Sequence, residues 1–247
     1  MNISAAYYSS IGNRGKNDDN ISLLENRDNI IAIVADGLGG ESDGGIASLT
    51  TIQTINARLS GSRSTAEHIE KAIANTNDEI IKLQDNGRRM KSTVAILCIC
   101  KAKAIAATVG DTRIYQFRRN KVIYQSTDHS VSQMSVSVGE INIDEIRGHV
   151  DRNRLTRALG SKNTVEVDTT ELVSIAGDAF LLCSDGFWEH VRESEMSEDL
   201  SLSNNADEWL SKMRKRVETR ISPTGDNHSA IAIINIAKQE EDLEHEQ

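Results

Sequence analysis

The stretch TVAILCICKAKAIAATVGDTRIYQFRRNKVIYQ, residues 93–125, contains four strand-like runs in close succession. The runs TVAILCIC, AIAATV, RIYQF and KVIYQ are rich in β-branched, aromatic and other apolar residues, which favour extended backbone. The polar breaks KAK and RRN have the length of hairpin loops between antiparallel strands. This stretch therefore predicts an antiparallel meander.

Apolar runs outside this stretch predict further strands at 29–36 (NIIAIVAD), 179–183 and 229–236. Four helices are predicted from apolar spacing: one before and one after residue 64, one around 188–191, and one near 209–217. Ser64 and Glu67 have the spacing of a capping box. The residues that carry the four patterns are Ile46, Leu49, Ile52, Ile55 and Leu59; Ile69, Ile73, Ile80 and Leu83; Trp188 and Val191; and Trp209, Leu210, Met213 and Val217. Strands in runs with helices in pairs indicate an α+β fold, a β-sandwich flanked by helical pairs.

Composition limits the class of protein. The chain has 247 residues and a formal net charge of −9, which argues against a general nucleic-acid or anionic-membrane binder. No apolar stretch approaches 18 residues and no secretory leader is evident, so we expect a soluble, cytoplasmic protein. An odd number of cysteines inside apolar runs fits a reducing compartment. We expect one domain at 1–237 and an acidic tail at 238–247, KQEEDLEHEQ.

Four aspartates occur where predicted strands meet tight turns. They are Asp36, Asp111, Asp185 and Asp226, and they are spread over the whole chain. Hard divalent cations such as Mg²⁺ and Mn²⁺ prefer carboxylate oxygens, so this pattern indicates one oxygen-rich site assembled from distant segments. Near the start of the chain, Arg14 and the adjacent pair of Asp18 and Asp19 are candidates for the same site.

Seven segments occur in the order of the motifs of a known family: GNRGKNDDN, VADGLGGESDGGIAS, VGDTRIYQF, TDHS, LTRALGS, LLCSDGFWEHV and GDNHSAIAI. The chain resembles the metal-dependent Ser/Thr protein phosphatases of the PPM (type 2C) family, in a bacterial-like form with a single catalytic domain. The resemblance covers nearly all of residues 10–236. It implies a four-layer α-β-β-α sandwich of two mainly antiparallel sheets, with a dinuclear metal centre at one end and a flap at 130–150.

The resemblance also implies a role for each candidate residue. Asp36 would bridge two ions of Mn²⁺ or Mg²⁺, the Gly37 carbonyl would ligate one of them, and Asp185 and Asp226 would complete the shell of the other. Asp111 would share a third, weaker ion with Asp185, while Asp18 and Asp19 would act through water. Arg14 would hold the phosphate, which a metal-bridging hydroxide attacks directly, without a phospho-enzyme.

Two positions depart from the family pattern. Leu38 stands where many eukaryotic members have a histidine, so that general acid is missing. Asp18 stands where the family usually has glutamate, and its shorter side chain suggests contact with a metal through water.

Several alternatives stay open on the residues alone. Asp111 and Arg113 could form a local ion pair in place of a third metal site. His129 could be a general acid or the donor or acceptor of a structural hydrogen bond. Ser184 lacks the context of a nucleophile.

The function implied by the resemblance is hydrolysis of phosphoserine and phosphothreonine in proteins. The alternatives are a catalytically weak regulatory module of the same family and a dinuclear-metal hydrolase of other phosphate monoesters. As partners we expect phosphorylated protein substrates and a cognate Ser/Thr kinase, with the protein acting as a monomer.

Overall fold

The structure is a computed structural model that describes residues 3–25, 29–39, 43–60, 65–84 and 89–236. The described residues alternate between runs of strands and groups of helices. In chain order the strands are β1 (Ile3–Ser10), β2 (Asp19–Glu25), β3 (Asn29–Leu38), β4 (Lys91–Ser92), β5 (Val94–Cys100), β6 (Lys103–Val109), β7 (Arg113–Arg118), β8 (Lys121–Gln125), β9 (Asp168–Val173), β10 (Ala179–Cys183) and β11 (His228–Asn235). The helices are α1 (Asp43–Leu59), α2 (Ala66–Leu83), α3 (Val131–Ser137), α4 (Asp185–Trp188), α5 (Glu193–Ser201) and α6 (Ala206–Arg220), with a 3₁₀ helix at Ile143–Gly148.

Two antiparallel sheets face each other. The first has the strand order β1-β11-β10-β7-β8, and the second has the order β2-β3-β5-β6-β9 with β4 paired to β3. Helices α1 and α2 pack on the second sheet, while α4, α5 and α6 pack on the first. A third apolar cluster fills the space between the sheets. The predicted four-layer α-β-β-α sandwich is confirmed.

The strands of the sandwich are apolar on both faces because both faces are covered. In β3, Ile31 and Ile33 pack towards α1 and α2, while Ile30 and Val34 pack between the sheets. A strand buried on both sides needs a continuous apolar run, which is the pattern that the sequence shows. Each face excludes water, so the ends of these strands are held in a rigid frame.

The prediction of one antiparallel meander over 93–125 is wrong in one respect. The hairpins β5–β6 and β7–β8 form as expected, and their loops place Lys101, Arg119 and Asn120 at positive φ. Between the hairpins the chain crosses to the opposite sheet, so β6 pairs with β9 and β7 pairs with β10. Gly110, at φ +106°, accommodates this crossing, where Thr93 packs closely against it. The crossing puts Asp111 at the end of the sandwich.

The phase of α1 also differs from the prediction. Ile46 and Leu49 are exposed, while the smaller Ala47, Ser48 and Thr51 face the sheet. Small side chains let α1 approach β3 closely, and that tertiary contact outweighs the apolar periodicity.

The start of α2 is capped differently from the prediction. Its N-cap is Thr65, whose hydroxyl accepts a hydrogen bond from the His68 amide at 3.3 Å. The predicted cap residue Ser64 lies outside the described residues, as does the acidic tail 238–247.

Besides the two-residue β4, the strands that the sequence did not reveal are β1, β2 and β9. All three lie at sheet edges. Their residues are mostly half-buried or exposed, so they lack the continuous apolar run of the inner strands.

Within the described part of the chain, no helix is long and apolar enough to cross a lipid bilayer.

Candidate active site

The four aspartates at strand ends meet at one end of the sandwich. Asp36 lies near the end of β3, Asp111 lies in the crossing between β6 and β7, Asp185 begins α4 just after β10, and Asp226 precedes β11. They line one cleft, whose walls are formed by Asp18, Asp36, Gly37, Leu38, Asp111, Asn153, Leu155, Asp185, Asp226 and Asn227. Six of the eight predicted site residues are therefore in the cleft wall, and the other two, Arg14 and Asp19, lie beside it.

The backbone of Asp36 is fixed by the neighbouring strand ends. Its carbonyl accepts hydrogen bonds from the Thr93 amide at 2.8 Å and the Ser92 hydroxyl at 3.1 Å. The Asp36 amide donates to Thr93 Oγ1 at 3.1 Å. At Gly37 a Cβ atom would collide with the Gly44 carbonyl at the start of α1. Only glycine fits there, so the glycine-rich segment keeps the Asp36 turn pressed against the helix.

Asn227 is a site residue that sequence reasoning missed. Its side-chain amide donates to the carbonyls of Ile11 and Lys16, both at 2.8 Å, and its Oδ1 accepts from the Asp18 amide at 2.8 Å. One side chain thus holds the loop that carries Arg14 and Asp18 against the start of β11. The segment GDNHSAIAI contained the signal, but only Asp226 was assigned a role.

Asp19 lies behind the cleft and does not line it. It is the cross-strand neighbour of Asp36, and its Oδ2 accepts a hydrogen bond from the Ser184 hydroxyl at 2.7 Å. Ser184 Oγ also accepts from the Ser229 amide at 3.0 Å. Ser184 is therefore a buried group that positions Asp19, in agreement with the absence of a nucleophile context in the sequence. Asn17, next to the Asp18–Asp19 pair, accepts from the Asp19 amide at 3.2 Å and shapes the turn.

The cleft concentrates negative charge. Burial, reinforced by the carboxylate of Asp185 and those of its other neighbours, holds the pKa of Asp36 well above its ordinary value. Burial and the charge of Asp111 do the same for the pKa of Asp185. Burial raises the pKa of Asp19 to about 6, against the opposing hydrogen bond from Ser184. Burial and the nearby Asp128 raise the pKa of Asp111 to about 7. When ionised, these four carboxylates, of Asp19, Asp36, Asp111 and Asp185, repel one another.

Arg14 lies at the exposed rim of the cleft and binds Asp226. Its Nε and Nη2 donate to the two carboxylate oxygens at 3.1 and 2.8 Å. This hydrogen bond and the charge of Asp226 raise the pKa of the guanidinium above its ordinary value. The predicted phosphate ligand is thus next to the predicted metal ligands and neutralises one of them.

Two alternatives left open by the sequence are settled by geometry. Arg113 does not pair with Asp111; it binds Asp128 through Nε at 2.8 Å and Nη2 at 2.6 Å. His129 accepts from the Gly110 amide through Nδ1 at 3.0 Å, and its Nε2 lies 3.1 Å from an Asp168 oxygen. His129 therefore makes a structural hydrogen bond that holds the β6–β7 crossing in place.

The carboxylates of the cleft are the kind of ligand that a divalent cation prefers, although their side chains are not arranged around one. As the side chains stand, no group of three or more His, Cys, Asp or Glu residues within the described ranges could hold a metal ion. Asp226 is paired with Arg14. The chemistry nevertheless matches: hard carboxylate oxygens, clustered and partly desolvated, with charges that a cation would relieve.

Comparison with known proteins identifies the family. The family model described as Protein phosphatase 2C matches residues 8–227. The serine/threonine phosphatase stp of Listeria welshimeri is 35% identical over 215 residues, which cover 81% of this chain and 84% of that protein. Solved structures with the same fold include the S. agalactiae serine/threonine phosphatase, with a TM-score of 0.85 at 24% identity over 96% of this chain and 100% of that one. Another is the catalytic domain of the phosphatase PstP in complex with two manganese ions, with a TM-score of 0.81 at 23% identity over 95% and 99%. The chain belongs to the protein phosphatase 2C family.

Proposed function

We propose that this chain is a protein serine/threonine phosphatase that depends on divalent metal ions and hydrolyses phosphoserine and phosphothreonine. The observation that carries the proposal is the convergence of Asp36, Asp111, Asp185 and Asp226 in one cleft with Arg14 at its rim. Family membership and the names of the relatives support the same activity.

The cleft residues divide into metal ligands and a phosphate ligand. Asp36, the Gly37 carbonyl, Asp185 and Asp226 would hold two ions of Mn²⁺ or Mg²⁺, as the two manganese ions bound by PstP suggest. Asp111 would hold a third, and Asp18 and Asp19 would contribute through water. When bound, such ions supply Lewis acidity and an activated water for in-line displacement at phosphorus.

Arg14 would change partner during substrate binding. Its planar fork now binds both oxygens of Asp226, and the same fork fits two phosphate oxygens. If Asp226 serves as a metal ligand, the Arg14 guanidinium would be free to bind the substrate phosphate. Arg14 is exposed, so this movement needs no rearrangement of the core.

Neither Leu38 nor His129 is our candidate for protonating the leaving oxygen. The Leu38 side chain lines the cleft but has no acidic proton, and His129 is held by Gly110 and Asp168. A water in the cleft is therefore the proton donor that we propose.

A substrate panel tests the proposal. Phosphoserine and phosphothreonine peptides, p-nitrophenyl phosphate and nucleotides are assayed with Mn²⁺, with Mg²⁺ and with EDTA. We expect turnover of the phosphopeptides that requires metal and stops with EDTA. Turnover confined to nucleotides or small esters would favour the other phosphate-monoester hydrolase, and no turnover with any substrate would favour the regulatory module. A cognate kinase, a monomeric state and a cytoplasmic location stay predictions.

A further inference from the structure

The flap, residues 130–150, has an exposed side and an anchored side. Met134, Val138, Ile143 and Val150 are exposed, while Ile146 is buried in the core beneath α4, α5 and α6. Helix α3 and the 3₁₀ helix form most of the segment. Its exposed apolar side chains are available for contact with a peptide substrate. The anchored side has a different partner.

Arg147 anchors the flap to the segment that follows Asp185. Its Nε donates to the Trp188 carbonyl at 3.0 Å, and its Nη2 donates to the Val191 carbonyl at 3.1 Å and to Glu193 Oε1 at 2.8 Å. Its side chain is only 15% exposed. Three acceptors within six residues fix the end of the short helix α4, which begins at Asp185.

Trp188 connects this anchor to the backbone of a second aspartate of the cleft. The indole Nε1 donates to the Asp111 carbonyl at 2.9 Å. The ring is buried, and the guanidinium carbons of Arg113 and Arg147 lie 3.6 and 5.8 Å from its centre. One side chain therefore ties the Asp185 helix to the backbone of Asp111.

Glu193 joins the two arginines. It accepts hydrogen bonds from Arg147 and from the Tyr115 hydroxyl at 3.0 Å, and it lies 3.6 Å from Arg113 Nη1. Burial alone would raise the pKa of Glu193, but the hydrogen bond and charge of Arg147 outweigh it, so this pKa lies below its ordinary value. The ionised carboxylate thus keeps Arg147 in place.

We infer that Arg147 is a positioning residue for the metal site: through Trp188 it sets the places of Asp111 and Asp185, and so the affinity of the cleft for divalent cations. The inference rests on the proposed function only for its turnover readout. Groups that orient metal ligands from behind typically change metal affinity or activity by about 10- to 100-fold when removed. The flap would then serve the metal centre as well as the substrate.

The test compares Arg147→Met with a matched control just after the flap. Arg147→Met keeps an unbranched apolar stem and removes the donors of the guanidinium, and Arg147→Lys restores the charge without the fork. The control is Arg154→Met, because Arg154 is 70% exposed and pairs only with the nearby Asp151 in the described structure. Mn²⁺ binding is measured by calorimetry without substrate, and turnover of p-nitrophenyl phosphate and a phosphopeptide is measured over a Mn²⁺ series.

We expect Arg147→Met to weaken Mn²⁺ binding about 10-fold or more. Both substrates should lose activity in parallel at limiting Mn²⁺ and regain part of it at high Mn²⁺. Arg147→Lys should lie between Arg147→Met and the wild type, and Arg154→Met should match the wild type. Wild-type Mn²⁺ affinity in Arg147→Met would overturn the inference, and so would a loss confined to the phosphopeptide.

A second variant protects the test against misfolding. Trp188→Phe removes the indole N–H to Asp111 and keeps an aromatic ring for the arginines, and we expect the same loss of Mn²⁺ affinity. Unfolding midpoints in EDTA show whether each variant is folded. If the wild type turned over no substrate, the proposed function would fail, whereas the calorimetric comparison would still decide the role of Arg147.

Discussion

Two buried charged residues lie two positions apart in the crossing between the sheets, and their surroundings are opposite. The Arg113 side chain is 1% exposed and is compensated on every side by Asp128, the Tyr115 hydroxyl and the Trp188 ring. Asp111 is 4% exposed and has no counter-ion bound to its carboxylate in the described structure; burial, followed by the charge of Asp128, raises its pKa to about 7 against the opposing charge of Arg113.

This difference distinguishes buried charges that stabilise the fold from buried charges that a bound ligand would stabilise. Burial of an ion with matched partners costs little net free energy, whereas removing one partner leaves the other charge buried and unpaired. Buried carboxylates that repel one another cost free energy in the folded protein without a cation, and such strain is concentrated at functional sites. The Arg113–Asp128 pair therefore belongs to the architecture, and the cleft carboxylates are the groups that we propose bind metal.

Asp36→Asn should produce the largest effect on activity. Turnover should fall by more than the roughly 10- to 100-fold typical of residues behind a metal ligand, because a proposed direct ligand is lost. In EDTA the variant should be as stable as the wild type or more stable, because repulsion with Asp185 is relieved. Kinetics and thermal unfolding of the same preparation check both expectations; wild-type turnover would contradict the dinuclear centre.

Asp128→Ala should have the opposite effect on stability. It strands Arg113 in the interior, so the free energy of unfolding should fall by about 3–5 kcal/mol. Urea unfolding measures this change. An apolar replacement of both partners, Arg113→Met with Asp128→Leu, serves as the control and should recover part of the loss. If Asp128→Ala were as stable as the wild type, the contrast between the two regions would not hold.

Arg14→Ala should affect binding of the phosphosubstrate more than the fold. Loss of a charge-assisted bond to phosphate should lower kcat/KM by about 1.5–3 kcal/mol in transition-state free energy, seen as a raised KM and a lower kcat. Arg14→Lys should recover only part, because an ammonium cannot bind two oxygens at once. Kinetics of all three proteins with one phosphopeptide provide the measurement. Identical constants for wild type and Arg14→Ala would mean that phosphate binds elsewhere.

The stability of the protein in EDTA should fall as pH rises. Asp19 and Asp111, with pKa values of about 6 and 7, bind more protons when folded than when unfolded, because the ordinary pKa of an aspartate is 3.8. Their contribution is therefore present at low pH and is lost between about pH 4 and 7. The melting temperature should drop by several degrees from pH 5.5 to 7.5, given about 2–4 °C per kcal/mol. Saturating Mg²⁺ should flatten this slope; a slope that is equal with and without Mg²⁺ would count against cation binding at these carboxylates.

Met134→Ser should give the smallest effect. The side chain is 59% exposed on the outer side of the flap, so it can touch a peptide without supporting the core. We expect kcat/KM for phosphopeptides to fall severalfold, less than about 10-fold, with p-nitrophenyl phosphate unaffected. Ile123→Ser is the control, since Ile123 is a similarly exposed residue on β8. Equal losses for both substrates would assign Met134 to support of the site.

Much of the fold could be predicted from the sequence, because the local pattern and the tertiary environment agree in the inner strands. NIIAIVAD predicted a strand at 29–36, and the structure extends it as β3 to Leu38. The order of motifs also gave the family and the aspartates at strand ends. The edge strands β1, β2 and β9 and the phase of α1 could not be predicted, because their exposure depends on which surfaces other segments cover.

The sequence by itself determined the two-faced apolar strands, the hairpins and the identity of the acidic residues, since each follows from neighbours a few positions apart. Only the tertiary structure decided that the chain crosses between sheets at Gly110, that Arg113 pairs with Asp128, and that Asn227 holds the Arg14 loop. Likewise, only packing joined Arg147 of the flap to Trp188 and Asp111. These contacts link residues from 15 to more than 200 positions apart, and a local pattern carries no information about a partner that only folding brings near.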